Sequence, residues 1–67
     1  MNTAAMKSVI VRNNENQARL AEILKLNLSA LNARINGKMD FRRSEINKIR
    51  KHYHLSPEET IEIFFND

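Results

Sequence analysis

Apolar residues recur along this chain at intervals of three and four, and the polar residues between them fall where helices should begin and end. Leu20, Ala21 and Leu24 lie one helical turn apart, Leu26 follows, and Leu31 and Ile35 repeat at i, i+4. Asn16 and Asn27 stand at the two entry points, and both side chains can accept a bond from a free backbone N–H of the first turn. The spacing predicts a helix over 17–24, a tight turn, and a second helix over 28–36. Gly37, the sole glycine, closes the second helix in a left-handed conformation. Two short helices with one buried inner face are a helix-turn-helix, in which the outer face of the second helix stays free.

Upstream, a helix is expected from about Ala4 to Asn13, with Thr3 as its cap. It contains the β-branched run Val9-Ile10-Val11, which local propensity would place in a strand. No other segment offers a strand to pair with, so the helix stands. Downstream, Ile46, Ile49 and Tyr53 recur at i, i+3, i+7 and predict a helix over about Arg43 to Tyr53, with Phe41 just before it plugging the core. Ser56-Pro57-Glu58-Glu59 reads as a capping box with proline at the first helical position and acids in the first turn. Ile61, Phe64 and Phe65 form the expected apolar face of this fifth helix. Ile63 falls outside that stripe, toward solvent, and with Phe65 is a candidate for a homodimer seam or a second partner contact.

Sixty-seven residues bound the answer to one small domain, 1–67, of all-α class. The chain has no Cys, so neither disulfides nor thiolate metal sites can staple it, and a reducing cytoplasm suits it. No apolar run approaches a membrane span and no secretory signal is expected. The net charge of +3 hides an asymmetry. All 11 Lys and Arg lie within residues 1–57, whereas residues 58–67 carry Glu58, Glu59, Glu62 and Asp67 and no base. A basic body with an acidic tail suits a polyanionic partner on one side, although a plain solvated surface accounts for so modest an excess equally well.

Catalysis finds no support. His52 and His54 are two apart, so on a helix they point about 200° from each other and cannot share a metal. Both are expected at the end of the fourth helix, where a cationic imidazole suits the negative terminus. No nucleophile–base pair and no glycine-rich phosphate loop is present. The expectation is a non-enzyme with no metal and no cofactor.

One ordered set of residues narrows the reading: Gln17-Ala18-x-Leu20-Ala21, Leu24, Ser29, Leu31-Asn32, Ile35-Asn36-Gly37-Lys38, Phe41, Ser44-Glu45-Ile46, Ile49 and Leu55-Ser56-Pro57-Glu58-Glu59. In this set the chain resembles the Cro/C1-type helix-turn-helix family of temperate-phage regulators, in particular its short Cro-like and modulator-of-repression-like members from phages of Gram-positive bacteria. The resemblance covers about residues 16 to 65. It implies a five-helix, lambda-repressor-like bundle acting on a lysis–lysogeny switch in the cytoplasm of a bacterial host. Lys25 stands where that family usually has a turn glycine, which implies a modest local cost.

Such a motif reads bases with the outward positions of its second helix and holds phosphates with flanking groups. Here the outward positions are Asn27, Leu28, Ser29, Asn32, Ala33 and, in part, Ala30. Gln17 opens the first helix of the pair, and Arg34, Lys38, Arg42 and Arg43 are available for phosphates along the groove edge. Asn32 suits a bidentate adenine contact and Leu28 a thymine methyl. Leu28, Ala30 and Ala33, however, replace the bonding groups that relatives commonly present, and with Met39 at the rim they suggest an apolar docking patch. The substitutions favour an antirepressor or modulator that docks this face on a cognate phage repressor. The alternative is a Cro-like dimer binding operator DNA directly, and a ternary complex would combine the two.

Overall fold

The computed structural model describes residues 1–65. Five helices follow one another: α1 (Thr3–Arg12), α2 (Gln17–Leu24), α3 (Leu28–Ile35), α4 (Arg43–His52) and α5 (Pro57–Phe64). There is no strand among the described residues, so the β-branched run of α1 is helical. Val9 and Ile10 are buried in the core from one face of the helix, and Val11 is exposed. Asp67, counted above among the acids of the tail, lies outside the described residues.

Local chemistry starts these helices as the sequence suggests. The Asn16 side chain accepts the Arg19 N–H at 2.8 Å, and that of Asn27 accepts the Ala30 N–H at 2.7 Å. Ser56 and Glu59 exchange the two bonds of a capping box. At α1 the cap is Asn2 rather than Thr3: Asn2 Oδ1 accepts the Ala5 N–H at 3.0 Å. The Thr3 hydroxyl is engaged elsewhere, donating at 2.6 Å to the Ile35 carbonyl, one of the free acceptors at the end of α3. The second helix of the motif therefore ends at Ile35, one residue short of the expected boundary.

Four helix ends share one geometry. After α1, α2, α3 and α4 the chain passes through a left-handed residue, at Asn14 (φ 58°), Lys25 (φ 57°), Gly37 (φ 80°) and His54 (φ 54°). In each case the next N–H reaches back to a carbonyl five residues before it: Glu15 to Ile10, Leu26 to Ala21, Lys38 to Ala33, Leu55 to Arg50. This is the Schellman closure, which satisfies the last carbonyls of a helix. Only Gly37 adopts the conformation without a Cβ penalty.

Met6, Leu20, Leu31, Ile35, Ile49 and Ile63 are fully buried at the centre of the core, with Val9, Ile10, Ala21, Leu24, Tyr53 and Leu55 around them. Burying one such large side chain contributes about 1.5–3 kcal/mol, a sizeable share of the stability a domain this small can have. Within the bundle α1 packs on α5, and α2 packs on both α3 and α4. The Phe41 and Phe64 rings meet edge to face at 5.4 Å between centroids and close the core below α4.

Helix α5 is turned relative to the expectation. Ile63 is buried at 2% exposure, whereas Ile61 is 59% exposed and Phe65 is also exposed. Two stripes compete on this short helix. The buried one runs through Thr60, Ile63 and Phe64, which a polar threonine disguises. Thr60 enters the interior because its hydroxyl donates to the Ser56 carbonyl at 2.9 Å and so carries no unmet polar group. Ile63 is thereby ruled out of any surface seam.

Candidate functional site

The outer face of α3 is free. Leu31 and Ile35 point into the core, which leaves Asn27, Leu28, Ser29 and Asn32 exposed on a rod about 12 Å long. Ala30 and Ala33 are half-buried at its margins. Leu28 keeps 46% of its surface exposed. The polar groups on this face differ in what they have left to offer. Asn27 has committed its side-chain oxygen to the cap of its own helix, so only its NH₂ remains for a partner. Ser29 and Asn32 make no side-chain bond among the described residues, and the Asn32 amide keeps both its acceptor and its donors. Gln17, half-buried, stands as the first residue of α2.

Arg34 is not on that face. It is buried, its Nε donates to Glu45 Oε1 at 3.0 Å, and one terminal nitrogen donates to the Ala30 carbonyl at 3.1 Å. The same Glu45 oxygen accepts the Arg42 backbone N–H at 2.8 Å. Arg42 is the N-cap of α4, and its side chain has no acceptor to return the bond. One carboxylate therefore ties the last turn of α3 to the start of α4 and fixes the intervening loop. The expectation that Arg34 grips a phosphate or a partner is corrected here: its charge is spent on Glu45, and breaking such a pair would leave a buried charge uncompensated. A Glu two places after Arg43 on the predicted α4 was the available signal, but it could not say which base it meets.

The loop so fixed carries the basic rim. Lys38, Arg42 and Arg43 are exposed, and none of them is in an ion pair among the described residues. Met39 is 53% exposed, and its backbone N–H donates to the Ala33 carbonyl of α3 at 3.2 Å. It also lines an open concavity of about 350 Å³ with Arg34, Asp40, Phe41, Ile46 and Phe64.

A second polar cluster was missed in the sequence. Glu15, in the turn between α1 and α2, accepts the Tyr53 hydroxyl at 2.9 Å and meets His52 Nε2 at 2.8 Å. Burial works to raise the Glu15 carboxyl. The bonds from His52 and Tyr53, with the positive fields of His52 and Arg19, outweigh it and hold the group below the usual carboxylate range. Burial first, and the Glu15 carboxylate second, push the Tyr53 phenol far above its ordinary value. His52 therefore serves a contact between elements rather than the end of its own helix, and His54, exposed at a left-handed position, does not face the same site. The cluster ties the turn before α2 to the end of α4.

Among the described residues no helix is long and apolar enough to cross a membrane, and no group of three or more His, Asp or Glu side chains could hold a metal. A sequence profile of the BetR domain matches residues 4–64, which takes in all five helices but for the first residue of α1. No curated protein and no solved structure matches the chain.

Proposed function

We propose, from the premise that the chain belongs to the BetR domain family, that this small helical regulatory domain binds double-stranded DNA by laying the outer face of α3 in the major groove. The observation that carries the reading is the pairing of uncommitted polar groups on α3, Ser29 and Asn32, with a rim of bases in no ion pair among the described residues, Lys38, Arg42 and Arg43. Asn32 can address an adenine edge through both atoms of its amide, worth about 1–3 kcal/mol of discrimination, and Leu28 can cover a thymine methyl. Few bonding groups face the bases, so phosphate contacts supply most of the affinity and sequence preference is narrow. Regulation of a lysis–lysogeny switch, as in the Cro-like phage regulators the chain resembles, is the setting that fits such a domain.

Selection from a random pool of duplex DNA tests it. A recovered consensus, with Asn32→Ala relaxing preference at one base pair, supports the reading. Lys38→Ala and Arg42→Ala should each weaken binding evenly across sequences and lower the salt slope by about one. Failure to enrich any sequence, with no salt-dependent binding to the pool, would sink it.

The second reading, an antirepressor that docks α3 on a cognate repressor protein, alone or on DNA, rests on the exposure of Leu28. Ala30 and Ala33 beside Leu28 are half-buried, which leaves this reading less apolar surface than three exposed side chains would give. Leu28→Glu should abolish capture of the repressor under this reading, and unchanged capture would remove it.

A further inference from the structure

Helices α1 and α5 lie side by side and expose two stripes of opposite charge. Asn2 donates its backbone N–H to the Ile63 carbonyl at 2.8 Å, and Arg12 meets Glu59 at 2.9 Å across the seam. Away from the seam, α1 shows Lys7 and Val11, one helical turn apart, with Val11 71% exposed. On the other side α5 shows Glu58, Ile61 and Glu62, all exposed, with Glu62 reaching back to the groove it lines with Ala5, Ser8 and Arg12 of α1. The first stripe joins an aliphatic side chain to a base, the second joins one to two acids. No residue of α3 belongs to either.

From this arrangement we infer that the α1–α5 face is a homodimer interface, in which the basic stripe of one copy covers the acidic stripe of the other about a two-fold axis near the seam. The complementarity is built into one patch, which is what an isologous contact needs: whatever α1 of the first copy meets on α5 of the second is met again in reverse. A rotation about the seam brings the Lys7–Val11 side over the Glu58–Ile61–Glu62 side in both places at once. Val11 and Ile61, two of the most exposed large aliphatic side chains, then lose water together. A specific interface takes about 600–1,000 Å² from each partner, which two adjacent helices can supply from a total surface of 4485 Å². The occupant is a second copy of this chain, because both halves of the complement are already present on it. The inference stands apart from the DNA-binding reading, since it leaves both α3 faces uncovered.

Sedimentation equilibrium of the full chain at low and at high salt tests it. The expected result is a dimer whose dissociation constant rises several-fold with salt, as opposed charges brought together require. Lys7→Glu alone and Glu62→Lys alone should each weaken the dimer at least tenfold, and the double variant Lys7→Glu with Glu62→Lys should restore most of the loss. Both positions are exposed, so circular dichroism should show the helices intact in all three. A monomer at every concentration, a dimer indifferent to both single reversals, or a double variant no tighter than the singles would overturn the proposal.

Discussion

Two turns of this molecule have the same backbone and opposite chemistry. Between α2 and α3 the chain runs through left-handed Lys25, then Leu26, then the N-cap Asn27; between α1 and α2 it runs through left-handed Asn14, then Glu15, then the N-cap Asn16. The middle residue points inward in both. Leu26 packs against the core, as Leu55 does in the matching turn before α5. Glu15 occupies the equivalent place as a carboxylate and is accepted there only because Tyr53 and His52 meet both its oxygens. The turn geometry asks for an inward side chain that leaves no polar atom unmet, and it does not ask that the side chain be apolar.

Emptying the apolar version should have the largest effect. Leu55→Ala removes a buried side chain and should lower stability by about 2–5 kcal/mol in a urea titration. A loss below about 1 kcal/mol would show that the inward position is not part of the core.

Glu15→Ala is the polar counterpart and should cost about 1–3 kcal/mol, mainly by leaving the Tyr53 hydroxyl buried without a partner. Combining Glu15→Leu with Tyr53→Phe makes the two turns alike and should recover most of that loss. A double variant as weak as Glu15→Ala would mean that the carboxylate contributes something beyond satisfying its neighbours.

Acid separates the two turns without mutation. The folded state holds the Glu15 carboxyl below its ordinary value of 4.5, so the unfolded chain takes up the proton first. Its contribution is complete above that ordinary value and is lost as pH falls through the depressed one. Denaturation midpoints measured from pH 7 down to pH 3 should therefore fall less steeply in Glu15→Gln than in the wild type. Parallel profiles would show that other carboxylates govern the acid limb.

The smallest effect concerns the shared left-handed position. Lys25→Gly removes the Cβ strain at φ 57° and should raise stability by at most about 1 kcal/mol. The same change at Asn14 should gain less, because asparagine tolerates this conformation better than lysine. Equal gains at both sites would place the cost outside the backbone.

Most of the fold was legible in the chain because its instructions are local. Asn16, Asn27 and Ser56 cap within three residues of themselves, Gly37 closes within five, and the stripe Leu20-Ala21-Leu24, Leu31-Ile35 needs only the helical period. The outward residues of α3 followed from the same period. What the tertiary structure alone decided involves partners eleven to thirty-eight residues apart: Arg34 with Glu45, Tyr53 with Glu15, Thr3 with the end of α3. Each turns on how two helices are placed against each other, and no spacing rule carries that. The rotation of α5, with Ile63 inside and Ile61 out, belongs with them. Two stripes on an eight-residue helix differ too little in apolar content to choose between, and the choice fell to the surface that α1 offered and to a threonine able to satisfy itself.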